Sequence, residues 1–197
     1  MKRYSFTFAR LFMVLFVVLF TLPTTNSWAA THEVDYKQSS VQFTGKHAGN
    51  TFEGAFTAWN ADITFNADDL QNSSLSATFE TASAETGDAL YDGTLPQADW
   101  FAAEQHPEAK FISKQLTANA DGTYQAAGIL TIRDISKPIN FNFSLEEMAD
   151  GMLNAKGTLK LDRLLFDIGK SSDPDADWVS QYINITLNIM ASRLYSE

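Results

Sequence analysis

The feature that most constrains this chain is an alternation of apolar and polar residues that repeats every second position. Two long stretches carry it, Ile139–Leu145 and Val179–Ile189, and Gln181 interrupts the apolar series of the second stretch. A period of two places successive side chains on opposite faces of a β-strand, so each stretch has one dry and one wet face. Because strands of parallel sheets are buried on both faces, this pattern favours an antiparallel sheet.

Shorter stretches with the same alternation occupy much of the remaining chain. They are Val41–His47, Phe52–Phe56, Leu75–Phe79, Tyr124–Ile132 and Leu153–Leu161. About eight strands with short connections form either a closed barrel or a two-sheet sandwich. An eight-stranded barrel has room inside for side chains or for one small ligand. The alternation therefore predicts an all-β fold and leaves barrel and sandwich open.

Two details predict a curved sheet with space inside it. The apolar phase changes from even to odd positions near Trp59 and Asn60, which indicates a bulge or a sharp bend. Four glycines stand in the apolar phase of their strands: Gly45, Gly54, Gly128 and Gly157. A missing side chain on the inward face permits a tight bend or leaves part of the interior empty.

One region departs from the strand pattern. Residues 81–107 are rich in Ala, Asp and Glu, and the apolar residues Leu90, Leu95 and Trp100 are five positions apart. This spacing does not match one regular helix and predicts short helices. We expect this insert to cover one end of the barrel.

The first 29 residues have the organisation of a signal peptide. A basic opening precedes the twelve-residue apolar run Leu11–Leu22, and Ser27 and Ala29 are small residues suited to signal-peptidase cleavage. The alternative, a membrane anchor, needs about 20 apolar residues. We therefore predict a signal peptide at 1–29, export to the periplasm, a single domain at 30–197 and no transmembrane segment after cleavage.

Charge and cysteine content narrow the classes of function. Positions 1–29 contain three basic residues and no acid, so their removal changes the formal net charge from −10 to −13. Nucleic acids and anionic membranes repel such a chain, and neither is expected as a partner. The chain contains no cysteine, which excludes disulfides, thiol catalysis and cysteine-ligated metals.

Several motifs, taken in order over residues 34–191, resemble the YceI-like family of exported lipid-binding proteins. They are Ser39–Phe43, Lys46–Gly49 and Gly54–Phe56; Leu95, Ala98–Phe101, His106–Pro107 and Phe111; Gly128–Pro138; and Arg163 with Phe166–Gly169. The resemblance implies an extended lipocalin-like, eight-stranded antiparallel β-barrel with a short helical insert. It also implies a central cavity for a long apolar chain, in the best-known cases a polyisoprenoid.

The chain departs from the family pattern at two places. The family's insert commonly carries Arg-Asp before His-Leu, whereas Tyr91–Leu95 keeps the Asp and the Leu but lacks the Arg and the His. If those side chains hold a polar head group, this chain prefers a different one. Asp134 also stands where glycine is usual, so that turn is expected to differ.

Twelve residues are expected to contact the ligand. They are Phe43, His47, Phe52, Phe56, Trp100, Phe101, Leu130, Ile132, Phe141, Phe143, Arg163 and Phe166. The aromatic residues either fill the barrel or line a tunnel through it. His47 either donates a hydrogen bond to a head group or is a satisfied core histidine. Arg163 either binds an anionic head or forms a salt bridge with a residue such as Asp167.

No catalytic residue, metal site or cofactor is expected. The acidic segment Asp173–Asp177 begins like a calcium loop, but it continues with Trp178 and Asn184 where an EF-hand has Gly and Glu. The leading interpretation is non-catalytic binding, storage or transport of a long-chain lipid. The alternatives are a carboxylate-based hydrolase on a β-sandwich and a module that delivers lipid or protons to a membrane redox system. The oligomeric state stays open, and a homodimer is the assembly considered.

Overall fold

The computed structural model describes residues 30–149 and 151–194, so the predicted signal peptide lies outside the described residues. The strands are β1 (Ala30–Val34), β2 (Ser40–His47), β3 (Asn50–Phe56), β4 (Trp59–Phe65), β5 (Ser74–Glu80), β6 (Ala84–Glu85), β7 (Glu108–Ala118), β8 (Tyr124–Ile132), β9 (Ile135–Glu147), β10 (Leu153–Asp162) and β11 (Tyr182–Arg193). One short helix, α1 (Ala89–Thr94), lies in the insert. Short 3₁₀ turns occur at Leu70–Asn72, Thr81–Ser83 and Arg163–Phe166.

Eight antiparallel strands close into a barrel in the order β1, β4, β5, β7, β8, β9, β10 and β11. Closure occurs where β1 pairs with the end of β11, with His32 opposite Arg193. The first half of β11 pairs instead with β2, and β3 and β6 continue this part of the wall. The predicted eight-stranded antiparallel barrel with a short helical insert is confirmed, and the sandwich is excluded.

The change of apolar phase corresponds to a break between two strands. β3 ends at Phe56, the chain bends at Thr57 and Ala58, and β4 begins at Trp59. The backbone N–H of Thr57 donates to the Ser83 carbonyl, which holds the bend against the insert. The predicted bend is therefore present two residues before Trp59 and Asn60.

The inward-facing glycines make room for aromatic rings. Gly54 lies opposite Phe43 and Gly45 opposite Phe52 across the β2–β3 pair. A Cβ on Gly54 would lie 2.3 Å from the Phe43 ring, and one on Gly45 would lie 2.5 Å from the Phe52 ring. The Phe111 ring occupies the space over Gly128 in the same way. The expectation that these glycines leave the interior empty is therefore wrong at these three positions, because neighbouring rings fill the space.

The insert covers the barrel end at which β11 begins, which we call the lid end. Leu95, Trp100 and Phe101 point from the insert toward the interior and pack against the inner wall. The opposite end, where β1 pairs with the end of β11, is called the far end. Within the part of the chain that the structure describes, no helix is long and apolar enough to cross a bilayer.

Candidate functional site

An elongated cavity of about 260 Å³ runs through the barrel. Five alternate residues of β11 line it, from Ile183 near the lid end to Ala191 at the far end. These eight steps correspond to about 27 Å along the strand at about 3.4 Å per residue. A single water needs only about 10–15 Å³ measured in the same way, so the cavity has room for a ligand of many atoms.

The wall of this cavity is almost entirely apolar. Among the described residues that line it, the polar or charged ones apart from the two tryptophans are His32, Ser76 and Arg163. Leu, Ile, Val, Ala and Phe side chains provide most of the remaining surface. Such a wall solvates a hydrocarbon and offers few partners to a charged group.

Most of the residues predicted to contact a ligand line this cavity. They are Phe43, Phe52, Phe56, Trp100, Phe101, Leu130, Ile132, Phe141, Phe143 and Arg163. The aromatic residues among them also pack on one another, as in the Phe43–Phe56 pair with ring centroids 5.6 Å apart. The same aromatic side chains therefore fill part of the barrel interior and line the cavity that remains. Their contact with a ligand stays a prediction.

The other two predicted residues, Phe166 and His47, lie elsewhere. Phe166 lies in the 3₁₀ turn after β10, is 1% exposed and belongs to the packed core. His47 ends β2 and lines a second pocket of about 180 Å³ beneath α1, which we call the vestibule. The vestibule is lined by His47, Phe52, Thr86, Leu90, Tyr91, Thr94, Leu95, Trp100 and Val179. It adjoins the main cavity, because Phe52, Leu95, Trp100 and Val179 line both.

A hydrogen bond connects the barrel wall to the lid inside the vestibule. The Nδ1 atom of His47 lies 2.9 Å from the Tyr91 hydroxyl oxygen, and the two rings meet edge to face. The alternative considered for His47, a histidine with a hydrogen-bond partner inside the protein, is therefore met by Tyr91, a side chain of α1. Because an imidazole nitrogen and a phenol hydroxyl can each donate or accept, either side chain can be the donor in this contact.

Two carboxylates hold α1 in place. Asp88 is its N-cap and accepts hydrogen bonds from the backbone N–H groups of Leu90 and Tyr91. Asp92 accepts from the backbone N–H and the hydroxyl of Thr86, at 2.6 and 2.7 Å. These bonds from Thr86 lower the pKa of Asp92 below its ordinary value. Asp92 therefore keeps its negative charge directly behind a residue of the vestibule wall.

Arg163 is the cation of the cavity wall, and its donors are already engaged. It is 2% exposed, and one terminal nitrogen lies 2.6 Å from a carboxylate oxygen of Asp173. Its other hydrogen bonds go to the backbone carbonyls of Ile168, Val179, Ser180 and Asp173. The salt bridge considered from the sequence exists, but its partner is Asp173, because Asp167 pairs instead with Lys170 on the surface.

Asp173 is stabilised as a carboxylate by its surroundings. Burial acts to raise its pKa, but backbone N–H groups of Val179 and Trp178 and the charge of Arg163 outweigh this effect and lower the pKa. Asp173, the first residue of the segment that begins like a calcium loop, therefore forms a buried ion pair with Arg163. No group of three His, Asp or Glu side chains in the described chain is arranged to hold a metal ion.

A second polar cluster fastens the insert to the loop after β10. Asp99 accepts hydrogen bonds from the backbone N–H groups of Ser171 and Ser172 and from the Ser172 hydroxyl. Partial burial acts to raise the pKa of Asp99, but these hydrogen bonds prevail and lower it to about 2. Arg133 donates to the backbone carbonyls of Asp99 and Trp100. These hydrogen bonds hold the segment that carries Trp100 and Phe101 in place at the cavity wall.

At the far end, the cavity wall contains a buried polar side chain, His32. It is 6% exposed, and its Nδ1 atom has no hydrogen-bond partner among the described residues. Burial lowers the pKa of this imidazole, and the nearby carbonyls of Ala30 and Ile63 only partly oppose the effect. The imidazole is therefore neutral at pH 7.

The comparison with known families decides the relationship of this chain. The YceI-like domain family matches residues 32–191, which is most of the chain. This chain belongs to that family. A curated relative, a UPF0312 protein of Pseudomonas savastanoi pv. phaseolicola, is 30% identical over 114 residues, which are 56% of this chain and 59% of the relative. The match thus spans about three fifths of the length of that relative.

Two solved structures share the fold of this YceI-like chain. The crystal structure of Burkholderia cenocepacia BcnA is 25% identical, with a TM-score of 0.77, and the match covers 81% of this chain and 100% of BcnA. A polyisoprenoid-binding domain from Saccharophagus degradans has a TM-score of 0.65, covering 84% of this chain and 99% of that domain. That domain is 9% identical, so the likeness concerns the fold alone.

Sequence reasoning missed several residues that shape this YceI-like site. Tyr91 and Asp92 were noted only as a departure from the family pattern, and Asp99 only as part of a motif. Asp173 stood only as the first residue of an acidic segment that does not match a calcium loop. His32 lies two residues after the start of β1, where position gives no sign that β1 closes the barrel. The spacing of His32 and Val34, two positions apart, could have indicated that both side chains lie on the same, buried face of β1.

Proposed function

We propose that this protein binds, stores or transports an amphiphile with a long apolar chain inside its barrel and does not catalyse a reaction. The observation that carries this proposal is the apolar cavity that extends from the insert to β1. A polyisoprenoid or a fatty-acid-like chain fits a wall of this shape and polarity. The polyisoprenoid-binding function of the Saccharophagus degradans domain, whose fold is similar, is consistent with this choice.

The energetics favour long chains over short ones. Each buried methylene contributes about 0.8 kcal/mol, so a chain of about ten carbons gains roughly 8 kcal/mol. Association costs about 4–15 kcal/mol in lost freedom of motion. A stable complex therefore needs a chain well beyond ten carbons, and few polar contacts are needed to hold it.

The hydrolase alternative has little support in the site. A glycoside hydrolase of this kind needs two carboxyl groups roughly 5–10 Å apart that face the substrate. Neither Asp nor Glu occurs among the described residues that line the cavity or the vestibule. The acids nearest the site hold α1 and Arg163 in place.

Export is part of the proposal, with residues 1–29 as the signal peptide and the periplasm as the place of action. The basic opening, the short apolar run and the small residues before Ala30 support it. A ligand that is insoluble in water would need a carrier of this kind between two membranes.

Native mass spectrometry of protein expressed with its own leader tests the proposal. We expect a mass that begins at Ala30, together with an additional mass that organic extraction identifies as a long-chain lipid. Protein stripped of lipid should take up geranylgeraniol or palmitate. Finding only the apo mass and no uptake of either compound would contradict the proposal.

A cavity-filling variant tests whether the interior is the binding place. Ala155 lines the cavity on β10, whereas the neighbouring Thr158 is exposed on the outer face of the same strand. Ala155→Phe should reduce lipid uptake about tenfold or more, because the ring occupies space that the chain needs. Thr158→Phe is the matched control and should bind as the parent protein does. Circular dichroism confirms that both variants fold, and equal uptake by both would place binding outside the cavity.

A further inference from the structure

The vestibule differs from the cavity in the polar groups that it offers. The cavity is a hydrocarbon-like tunnel, whereas the vestibule wall carries His47, Thr86, Tyr91 and Thr94. The two spaces adjoin, so a chain that enters the tunnel tail first leaves its head group among these four side chains. Their chemistry therefore indicates which head group the protein accepts.

The hydrogen atoms of the two threonine hydroxyls are already committed. Thr94 donates to the Leu90 carbonyl at 2.7 Å, and Thr86 donates to a carboxylate oxygen of Asp92 at 2.7 Å. Thr86 also accepts from the Asp88 backbone N–H, so one lone pair of its oxygen remains. Both hydroxyls are thus left with the capacity to accept hydrogen bonds.

The His47–Tyr91 pair leaves one further hydrogen bond available at the phenol oxygen. If Tyr91 donates to Nδ1, its lone pairs accept from a ligand, and if Nδ1 donates, the phenol hydrogen is available. A hydroxyl group on the ligand satisfies both arrangements, because it donates and accepts. A group that only accepts satisfies one of them.

Neither wall, in the part of the chain that the structure describes, offers a ligand a lysine or an arginine without a counter-charge. Among the described residues of both walls, Arg163 is the permanent cation, and each of its three side-chain nitrogens already donates to Asp173 or to a backbone carbonyl. Asp92 places a negative charge directly behind Thr86. A phosphate or carboxylate in the vestibule would lose its hydration, find few donors and be repelled by Asp92.

From these observations, and resting on the proposed function, we infer that the protein selects long-chain amphiphiles whose head group donates a hydrogen bond and carries no negative charge. A long-chain alcohol is the representative ligand. The vestibule receives its hydroxyl, with Tyr91 as the residue that recognises it. A diphosphate ester of the same chain is rejected.

Three compounds with the same chain test this selectivity: geranylgeraniol, its methyl ether and geranylgeranyl diphosphate. Binding is followed by intrinsic tryptophan fluorescence, because Trp59 and Trp100 line the cavity. We expect the alcohol to bind most tightly and the ether about two- to tenfold more weakly, since one neutral hydrogen bond contributes about 0.5–1.5 kcal/mol. The diphosphate should bind at least about tenfold more weakly than the alcohol, because its charge finds no partner.

Two substitutions assign the selectivity to the vestibule. Tyr91→Phe should weaken binding of the alcohol more than binding of the ether and so reduce the difference between them, because the alcohol loses a partner in both arrangements of the His47–Tyr91 pair and the ether in only one. Leu90 is 70% exposed and lines the vestibule, so Leu90→Lys adds a cation without disturbing the core. This variant should bind the diphosphate about tenfold more tightly than the parent protein does, because a hydrogen bond to a charged group contributes about 1.5–3 kcal/mol. Leu90→Gln is the uncharged control and should not gain affinity.

The outcomes separate this inference from the proposed function. A diphosphate that binds the parent protein as tightly as the alcohol does would overturn the inference and leave lipid binding intact. Equal affinity for ether and alcohol would overturn the role of the donated hydrogen bond. Binding of none of the three compounds would overturn the proposed function and the inference with it.

Discussion

The two ends of the barrel differ in how a buried polar side chain of the cavity wall is supplied with hydrogen-bond partners. At the lid end, Arg163 is fully enclosed by hydrogen-bond acceptors and by Asp173. At the far end, His32 lines the same cavity with one ring nitrogen unpartnered among the described residues. A permanent charge must be neutralised before it is buried, whereas an imidazole avoids the cost by remaining neutral.

This difference indicates how the fold combines rigidity with an empty interior. The polar networks of Asp99, Arg133 and Arg163 hold the insert and the loop after β10, so the lid end is ordered without filling the tunnel. The far end closes through the pairing of β1 with the end of β11. We therefore expect substitutions to cost most where charges are buried, less where rings pack against glycine, and least at the far end.

Breaking the buried ion pair should have the largest effect. Asp173→Asn removes the negative charge but keeps the size of the side chain, which leaves Arg163 buried without a counter-charge. The free energy of unfolding should fall by about 3–5 kcal/mol, the range found when one partner of a buried pair is removed. Urea denaturation at pH 7 measures this change.

Asp167→Asn is the matched control for this prediction. Asp167 pairs with Lys170 at 2.5 Å, but both side chains are about half exposed. Exposed pairs contribute about 0–1 kcal/mol, so this variant should lie within about 1 kcal/mol of the parent protein. Equal losses in the two variants would contradict the claim that burial makes the lid-end pair important.

The packing of aromatic rings against glycine should give an intermediate effect. A Cβ at Gly54 would lie 2.3 Å from the Phe43 ring and 2.6 Å from the backbone carbonyl of Glu85, which cannot rotate away. Gly54→Ala should therefore lower the free energy of unfolding by about 1–3 kcal/mol, as overpacking does. Thermal or urea denaturation measures the loss.

Gly93 provides a matched glycine-to-alanine control within α1. Nothing lies within 4 Å of a Cβ at Gly93, and the residue is helical. Gly93→Ala should leave stability unchanged or raise it by roughly 0.5–1 kcal/mol, because alanine restricts the unfolded chain. A Gly54→Ala variant as stable as this control would mean that the Phe43 ring moves aside freely.

The fold could be predicted largely from the alternation of residues, and the reason is local. In a strand, phase determines which face a side chain occupies, so the alternation places Leu130, Ile132, Phe141 and Phe143 on the inward face, where they line the cavity. Closure could not be predicted in this way. It depends on the pairing of His32 with Arg193, residues at opposite ends of the chain, and no local pattern encodes this contact.

The polar part of the site was less predictable, because irregular segments determine it. Arg163 had acids both four and ten positions away, and spacing alone could not distinguish Asp167 from Asp173. The choice follows from the turn after β10, in which Asp167 has a left-handed backbone conformation (φ 56°) and its side chain pairs with Lys170 on the surface. The glycines were misleading for a related reason, since a missing side chain does not reveal whether a neighbouring ring fills the space.

Replacing His32 should have the smallest effect, and the effect should depend on pH. His32→Leu removes a buried nitrogen that has no partner, so the free energy of unfolding at pH 7 should rise by roughly 1 kcal/mol. The folded-state pKa of His32 lies below the ordinary value of 6.5. The unfolded chain therefore binds more protons as pH falls through 6.5, and His32 destabilises the parent protein progressively below that pH.

The contribution of His32 is isolated by comparing the free energy of unfolding of the parent protein with that of the His32→Leu variant between pH 7 and pH 5. The advantage of the leucine variant should grow as pH falls through this window, because protonation of a buried imidazole favours the unfolded chain. Asp99, whose pKa is about 2, loses its stabilising effect only as pH falls below about 4 toward 2. Asp173, whose pKa is also lowered, loses its effect only below its ordinary titration range, and both losses occur in the parent protein and in the variant. Urea denaturation at several pH values measures the difference. An advantage that is constant with pH would mean that His32 gains a proton as easily in the barrel as in the unfolded chain, and the contrast between the two ends would then rest on Arg163 alone.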